Sequence, residues 1–339
     1  MSLLQRAKKQ GRKFLNPIET SVGGFSMMFK ILPLYLSNKE ERVPKIQLGP
    51  FRTDPAVFQH PPQTDLRITW MGHSSLLVEI DGFRLLIDPV WDQRASPVRW
   101  GGPKRFFAPP LKLEDLPRLD AVIVSHDHYD HLGKSTIQRL SRLDCAKDAT
   151  WITSLGIGEV LTSFGVDRNR ISELDWTQSA TLASAARDLT ITALPARHFS
   201  GRGLSNRFET LWSSFAILGD THRIYYGADS GLWPGFPDIA RDYGPFDVTM
   251  LEIGASSPLW NDIHMGPEGA AEAFTTMGAA GLLMPVHWGL FDLALHAWRQ
   301  PIQQLTELAT QSGLKLWSPT PGTPTEVVPG EPFLSDWWR

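Results

Sequence analysis

The stretch Ser125-His126-Asp127-His128-Tyr129-Asp130-His131 constrains this chain more than any other, and it directly follows the apolar run Ala121-Val122-Ile123-Val124. Three of the ten histidines lie within six residues here, interleaved with acids. An extended segment alternates its side chains between two faces, so His126 and His128 share one face and can converge on one metal ion. A turn into a helix at Leu132-Gly133-Lys134 would swing Asp130 and His131 toward a second ion beside the first. Neutral imidazoles and carboxylates suit borderline divalent ions such as zinc. A lone buried histidine is usually a satisfied core residue, but that reading does not explain several donors packed together at the end of a β-like run. A fold that uses them must bring strand ends together.

The rest of the chain supplies such ends. Strands are expected at Leu66–Trp70, Ser75–Ile80 and Arg84–Ile87, the last two joined by an Asp81-Gly82 hairpin turn. Further strands are expected at Thr150–Thr153, Arg170–Leu174, Leu189–Ala193, Leu211–Leu218, Arg223–Tyr226, Val248–Glu252 and Leu282–Met284. Helices are expected at Lys134–Ser141, Leu155–Phe164, Gly266–Met277, with Pro267 near its first turn, and Pro301–Gln311. The hairpin that ends in Asp88 has a faint echo in the hairpin that ends in Asp229, which suggests two similar halves meeting face to face. Many short strands followed by helices predict a sheet–sheet core covered by helices. Trp91–Pro110 reads as a loop long enough to overhang a site, where Arg94, Arg99, Lys104 and Arg105 could meet an anion.

Composition limits the partners. The 339 residues, 42% of them hydrophobic, suffice for one large domain or two small ones. A formal charge of -3 with no long basic tract weighs against a nucleic-acid partner. The single cysteine, Cys145, excludes an intramolecular disulfide and fits a reducing, cytoplasmic setting. Arg6, Lys8, Lys9, Arg12 and Lys13 make a basic start, but no apolar core of a signal peptide follows closely. The apolar stretch Phe25–Leu36 is interrupted by Lys30 and Pro33 and is too short to span a bilayer. It suits an arm packed on the body or a peripheral membrane contact, so residues 1–60 are expected to form an N-terminal arm and residues 61–339 the catalytic body. The thirteen tryptophans are expected mostly as core or loop anchors, several of them able to line an apolar groove.

His198, Asp229 and His287 each follow a β-like run, and strand ends provide rigid ligands. One partition accounts for all seven donors: His126, His128 and His198 on one ion, Asp130, His131 and His287 on the other, Asp229 bridging. Two ions roughly 3.5–4 Å apart can lower the pKa of a shared water and stabilise both the entering and leaving oxygens, which favours hydrolysis at phosphorus or carbonyl carbon. Asp127 and Tyr129 are left as spacers. Glu252 ends a strand without an assigned role, and none is assigned to His60, His222 or His296. Asp88 could fix a ligand imidazole from behind, as could His73 just before a strand.

These motifs together resemble the metallo-β-lactamase superfamily, whose His-x-His-x-Asp-His signature is matched in full by residues 126–131, with His198, Asp229 and His287 matching its remaining ligands. Gly72-His73-Ser74-Ser75, Leu86-Ile87-Asp88-Pro89, Gly101-Gly102-Pro103-Lys104-Arg105 and His287-Trp288-Gly289 are similar to the branch of N-acyl-phosphatidylethanolamine-hydrolysing phospholipase D. The resemblance covers about residues 60–310. It implies a four-layer αββα sandwich, two zinc ions (or another divalent metal such as Mn2+ or Fe2+), and a bridging hydroxide attacking a phosphodiester. It also implies a lipid or small-molecule phosphodiester as substrate, and it leaves a homodimer open. A further active-site histidine of that branch looks equivalent to His264, which would hold the phosphate or protonate the leaving alkoxide; Asp130 and His264 are thus the catalytic candidates. Relatives that open lactones or cleave other small esters use the same metals. A non-catalytic zinc-binding module is the reading from a different class.

Overall fold

The computed structural model describes residues 2–23, 33–37, 39–203 and 205–339. Most of the apolar stretch expected at Phe25–Leu36 lies outside the described residues; of the remainder, Leu34, Tyr35 and Leu36 are exposed on a short helical turn.

The first sheet begins with an antiparallel meander of β1 (Leu66–Gly72), β2 (Ser75–Ile80) and β3 (Phe83–Ile87), and continues in parallel through β4 (Ala121–Val124), β5 (Thr150–Ser154) and β6 (Ile171–Leu174). The second sheet repeats that plan. Its β7 (Ser179–Ala183), β8 (Asp188–Leu194), β9 (Ser214–Leu218) and β10 (Arg223–Tyr226) are antiparallel, and β11 (Val248–Glu252) and β12 (Leu282–Val286) add in parallel. A two-residue strand, β13 (Thr325–Glu326), closes the free edge of β1. The β2–β3 turn is the expected one. Asp81 (φ 48°) and Gly82 (φ 87°) are both left-handed, the geometry a two-residue hairpin requires.

Alternation along the strands builds the layers. Leu85, Ile87, Ala121, Ile123 and Ile152 face the second sheet and share one core with Leu189, Ile191, Ala193, Phe215 and Ile217. The alternate residues Leu77, Leu86, Val122, Val124 and Trp151 face outward under α1 (Lys134–Leu140) and α2 (Ile157–Ser163), through Ile137, Leu140, Ile157 and Leu161. On the far side, α3 (Phe236–Tyr243), α4 (Gly266–Thr276) and α5 (Gln300–Ser312) cover the second sheet with Phe236, Ile239, Ala273, Phe274, Ile302 and Leu305. The architecture is the expected αββα sandwich. Burying each of these aliphatic side chains stabilises the fold by about 1.5–3 kcal/mol.

Besides several two-residue strands, the sequence leaves β7 and α3 unannounced. Strand β7 alternates exposed and half-buried at the sheet edge, so it carries little apolar signal. Helix α3 is short and half polar. The strand expected from Leu211 starts at Ser214, because Leu211 and Trp212 belong to a separate small core with Phe14 and Trp176. Among the described residues, no helix is long and apolar enough to cross a membrane.

Candidate metal centre

The donors gather where strands end, the place at which open α/β sheets present loops and ligands. His126, His128, Asp130 and His131 follow β4, His198 follows β8, Asp229 follows β10, and His287 follows β12. His73, Asp88, Ala228 and His287 lie at or beside these ends with φ of 56°, 41°, 51° and 62°. Left-handed backbone costs a non-glycine residue of order 1–3 kcal/mol and persists where the surroundings over-determine it, commonly at functional sites.

Among the described residues, two of the four convergent groups of donor atoms hold all seven expected ligands. His126, His128, His198 and Asp229 converge within 4.8 Å of one another, and so do His73, Asp130, His131 and His287. Asp229 stands between them. Its carboxylate lies 3.1 Å from His131 Nε2 and 3.0 Å from His287 Nε2, and 3.7 Å from both His126 Nε2 and His198 Nε2.

Outer partners aim the imidazoles. His131 Nδ1 bonds to Asp88 Oδ2 at 2.7 Å, His198 Nδ1–H donates to the Ile263 carbonyl at 2.9 Å, and His126 Nδ1 shares a 2.9 Å hydrogen bond with Ser125 Oγ. Each ring is left with Nε2 facing the cluster, the arrangement that fixes tautomer and direction in metal sites. His128 instead offers Nδ1, which lies 2.9 Å from His126 Nε2.

The residues fit a pair of divalent ions. His131 Nε2 and Asp229 Oδ1 are buried and make no hydrogen bond although they face each other, and buried polar atoms normally have partners. The electrostatics agree. Burial would raise Asp130 and Asp229, but the neighbouring imidazoles, His131 first, outweigh it and hold both carboxyls well below their usual range. Burial pushes His126 and His198 well down, so both stay neutral as ligation requires. With several neutral imidazoles and two ionised carboxylates, the protein presents a centre for two zinc or related divalent ions.

The family model for the beta-lactamase superfamily domain matches residues 83–288. The chain belongs to the metallo-β-lactamase superfamily. An uncharacterized protein of Mycobacterium tuberculosis is 47% identical over 277 residues, covering 81% of this chain and 72% of its own. N-acyl-phosphatidylethanolamine-hydrolyzing phospholipase D 1 of Caenorhabditis elegans is 36% identical over 253 residues, covering 73% and 70%. Among solved structures, an isothiocyanate hydrolase from Delia radicum gut bacteria matches with a TM-score of 0.60 at 20% identity, over 76% of this chain and 98% of that one; this likeness concerns the fold alone. As a member of this superfamily, the protein carries the binuclear centre of a metal-dependent hydrolase.

The structure brings all seven expected ligands of this superfamily centre together and adds supports around them. His73 Nε2 lies 3.0 Å from Asp130 Oδ2, among the second set of donors, and burial drives its pKa down to about 3. Asp88 is fully buried and accepts from Ser125 N–H (2.7 Å), Ser125 Oγ (2.6 Å) and Tyr226 OH (2.5 Å) besides facing His131. Asp127 and Tyr129 do more than space the ligands. Asp127 accepts from Gly201 N–H at 2.7 Å and Thr210 Oγ1 at 3.1 Å, and Tyr129 OH donates to the Arg202 carbonyl at 2.5 Å. Both tie the loop after His198 to the histidine-rich turn.

Glu252, without an assigned role from sequence, is fully buried beside the site. Its Oε1 accepts from Ser230 N–H (3.0 Å) and Met265 N–H (3.2 Å), and its Oε2 bonds to His264 Nδ1 at 2.6 Å. An apolar strand that ends in an acid, as those before Asp88 and Asp229 do, was the available signal. His222, given no role, bonds to the Thr64 carbonyl at 2.7 Å away from the centre.

At the donors opens a cleft of about 470 Å³, lined by His128, Asp130, Asp229, His264 and His287 and by the apolar Val22, Phe199, Trp260, Ile263 and Leu293. Among the described residues, none from the loop expected to overhang the site lines it. Arg105 turns inward instead, with Nε donating to the Phe107 carbonyl at 2.8 Å, and Arg94 donates to the Gly102 carbonyl at 2.5 Å.

Proposed function

We propose that this hydrolase is a phosphodiesterase of phospholipase D type, acting on N-acyl-phosphatidylethanolamine or a related phosphodiester with an apolar body. The observation that carries the reading is the cleft, which is lined by the donor side chains together with Val22, Phe199, Trp260, Ile263 and Leu293. Such a surface suits a charged scissile group with acyl or alkyl chains beside it. The 36% identity to a phospholipase D of Caenorhabditis elegans supports the same reading.

In this reading His126, His128, His198 and Asp229 hold one ion, Asp130, His131 and His287 hold the other with Asp229 shared, and His73 and Asp88 orient the second set. Bound there, two ions would supply Lewis acidity and lower the pKa of the attacking water. Asp130, which lines the cleft, takes the proton of the attacking water. His264 lines it opposite, with Nδ1 anchored on Glu252 and Nε2 free to give a proton to the departing alkoxide. Water and a phosphodiester become a phosphate monoester and an alcohol, and the leaving oxygen departs protonated rather than charged. For N-acyl-phosphatidylethanolamine the products are phosphatidic acid and an N-acylethanolamine.

The test is to incubate zinc-loaded protein separately with N-acyl-phosphatidylethanolamine and with a panel of lactones. Phosphatidic acid release, with little lactone opening, is the expected result. Efficient lactone opening without phosphatidic acid would replace the reading with that of a lactonase or small-ester hydrolase.

A further inference from the structure

Among the described residues, His198 is the expected ligand whose backbone is held by the N-terminal segment. Strand β8 ends at Leu194, so His198 lies beyond the ladder that would satisfy its peptide groups. Asn16 takes over that task. His198 N–H donates to Asn16 Oδ1 at 2.9 Å, and Asn16 Nδ2 donates to the His198 carbonyl at 2.7 Å. A primary amide carries donor and acceptor side by side and here copies the edge of a strand. His198 is fully buried, so water does not reach its peptide groups to replace these bonds. With the ring anchored on the Ile263 carbonyl, backbone and imidazole are both fixed.

The segment that carries Asn16 is itself strapped to the rim of the site. Phe14 is buried with Trp176, Ala196, Leu211 and Trp212. Arg197 donates to the Glu19 carbonyl at 3.0 Å, and Arg207 donates to the carbonyls of Val22 (3.2 Å) and Gly23 (3.0 Å). Ser21 N–H donates to Asp262 at 2.9 Å, and Val22 reaches the cleft as part of its wall. Among the described residues, His73, Asp130, His131 and His287 draw no hydrogen bond from residues 2–23.

We propose that Asn16 is a positioning residue for His198, and that residues 14–22 belong to the active site as its clamp and one wall. The proposal rests on His198 being a ligand, as the functional reading has it. Its consequence is asymmetric. Losing Asn16 unfastens one set of donors and leaves the other as it is.

The test compares Asn16→Ala and Asn16→Asp with the wild-type full chain by equilibrium competition for zinc with a chromophoric chelator, and by metal content after dialysis. Outer partners of metal ligands contribute about 10–100-fold in affinity, and a loss of that size for one ion only is expected in Asn16→Ala. Asn16→Asp keeps the acceptor for His198 N–H and places a carboxylate oxygen against the His198 carbonyl, so it is expected to lose affinity at the same ion. Unchanged affinity for both ions in either folded variant would overturn the proposal, and so would equal weakening of both. His198→Ala separates the two levels: if it sheds one ion while Asn16→Ala sheds none, the ligand assignment stands and the clamp falls. If His198→Ala keeps both ions, the ligand assignment itself falls.

Discussion

Two aspartates follow two hairpins of the same plan, and the protein uses them in opposite ways. Asp88, directly after β3, is saturated by Ser125, Tyr226 and His131 and lies behind the imidazole of His131. Asp229, three residues beyond β10, keeps Oδ1 free of hydrogen bonds and faces four imidazoles. Local sequence places an acid at the end of a buried hairpin in both cases. Whether that acid supports a ligand or serves as one depends on which donors the rest of the fold directs at its oxygens. A hydroxyl, a phenol and a peptide N–H consume Asp88, while Asp229 meets only ring nitrogens.

The strongest way to break this comparison is Asp229→Asn. The amide keeps the shape and removes the charge shared by both sets. Zinc affinity is expected to fall for both ions, by more than the roughly 100-fold that marks the upper end for an outer partner, with hydrolysis lost alongside. Retention of two tightly bound ions by the folded variant would show that Asp229 is not shared. Asp88→Asn is expected to be milder and uneven, about 10–100-fold in affinity at the ion held by His131. A smaller loss is expected at the other ion, whose His126 leans on Asp88 through Ser125 Oγ. Chelator competition reads both variants on the same scale, and an Asp88→Asn effect as large as that of Asp229→Asn would erase the distinction between the two acids.

Most of the candidate centre was legible because its donor residues sit in short motifs at the ends of apolar runs. The β2–β3 turn, the spacing from His126 to His131 and the recurrence of acids after hairpins are local facts, and a residue alphabet records them. The supports are not local. Glu252 meets His264 only because the segment between β11 and α4 folds back onto the end of β11, and Tyr226 reaches Asp88 from the opposite sheet. Asn16 acts on a residue 182 positions away, and nothing in Leu15-Asn16-Pro17 announces a partner. Arg94 and Arg105 each give one guanidinium N–H to a backbone carbonyl of their own loop, a local tie that their charge alone does not announce.

Proton competition sharpens the contrast between the two donor sets. Burial would lower His287, but Asp229, Asp130 and Glu252 outweigh it and raise the group to about 10 in the absence of metal. His131 is raised well above its ordinary value in the same way, burial being overcome by Asp229 and Asp130. Burial instead holds His126 and His198 well below theirs. A raised pKa means that the proton is still bound at neutral pH, so an ion entering the His131 and His287 set must expel it. Affinity for that ion is expected to fall about tenfold per displaced proton for each unit of pH lost between 9 and 6, and to change little for the other ion. Calorimetric zinc titrations in buffers of different protonation enthalpy check this directly, and proton release of equal size at both ions would contradict it.

The smallest expected effect lies where the two hairpins touch far from the centre. Asp81, in the β2–β3 turn, uses Oδ2 to accept from Thr221 N–H at 2.8 Å and His222 N–H at 3.0 Å, in the turn between β9 and β10. The first hairpin thus caps the turn of the second, and a carboxylate is a stronger acceptor than an amide oxygen. Asp81→Asn keeps an acceptor at that position, and asparagine tolerates the left-handed backbone of the turn. The charge contribution to two hydrogen bonds is lost, together with the 3.7 Å pairing of Oδ1 with the half-exposed Arg187, so denaturant unfolding is expected to show a loss of about 1 kcal/mol. Both zinc affinities should stay at the wild-type level, because the turns and the strand ends are joined only through the length of well-packed strands. A shift in either affinity would mean that the relative placement of the hairpins, and not just the partners of their terminal aspartates, tunes the metal centre.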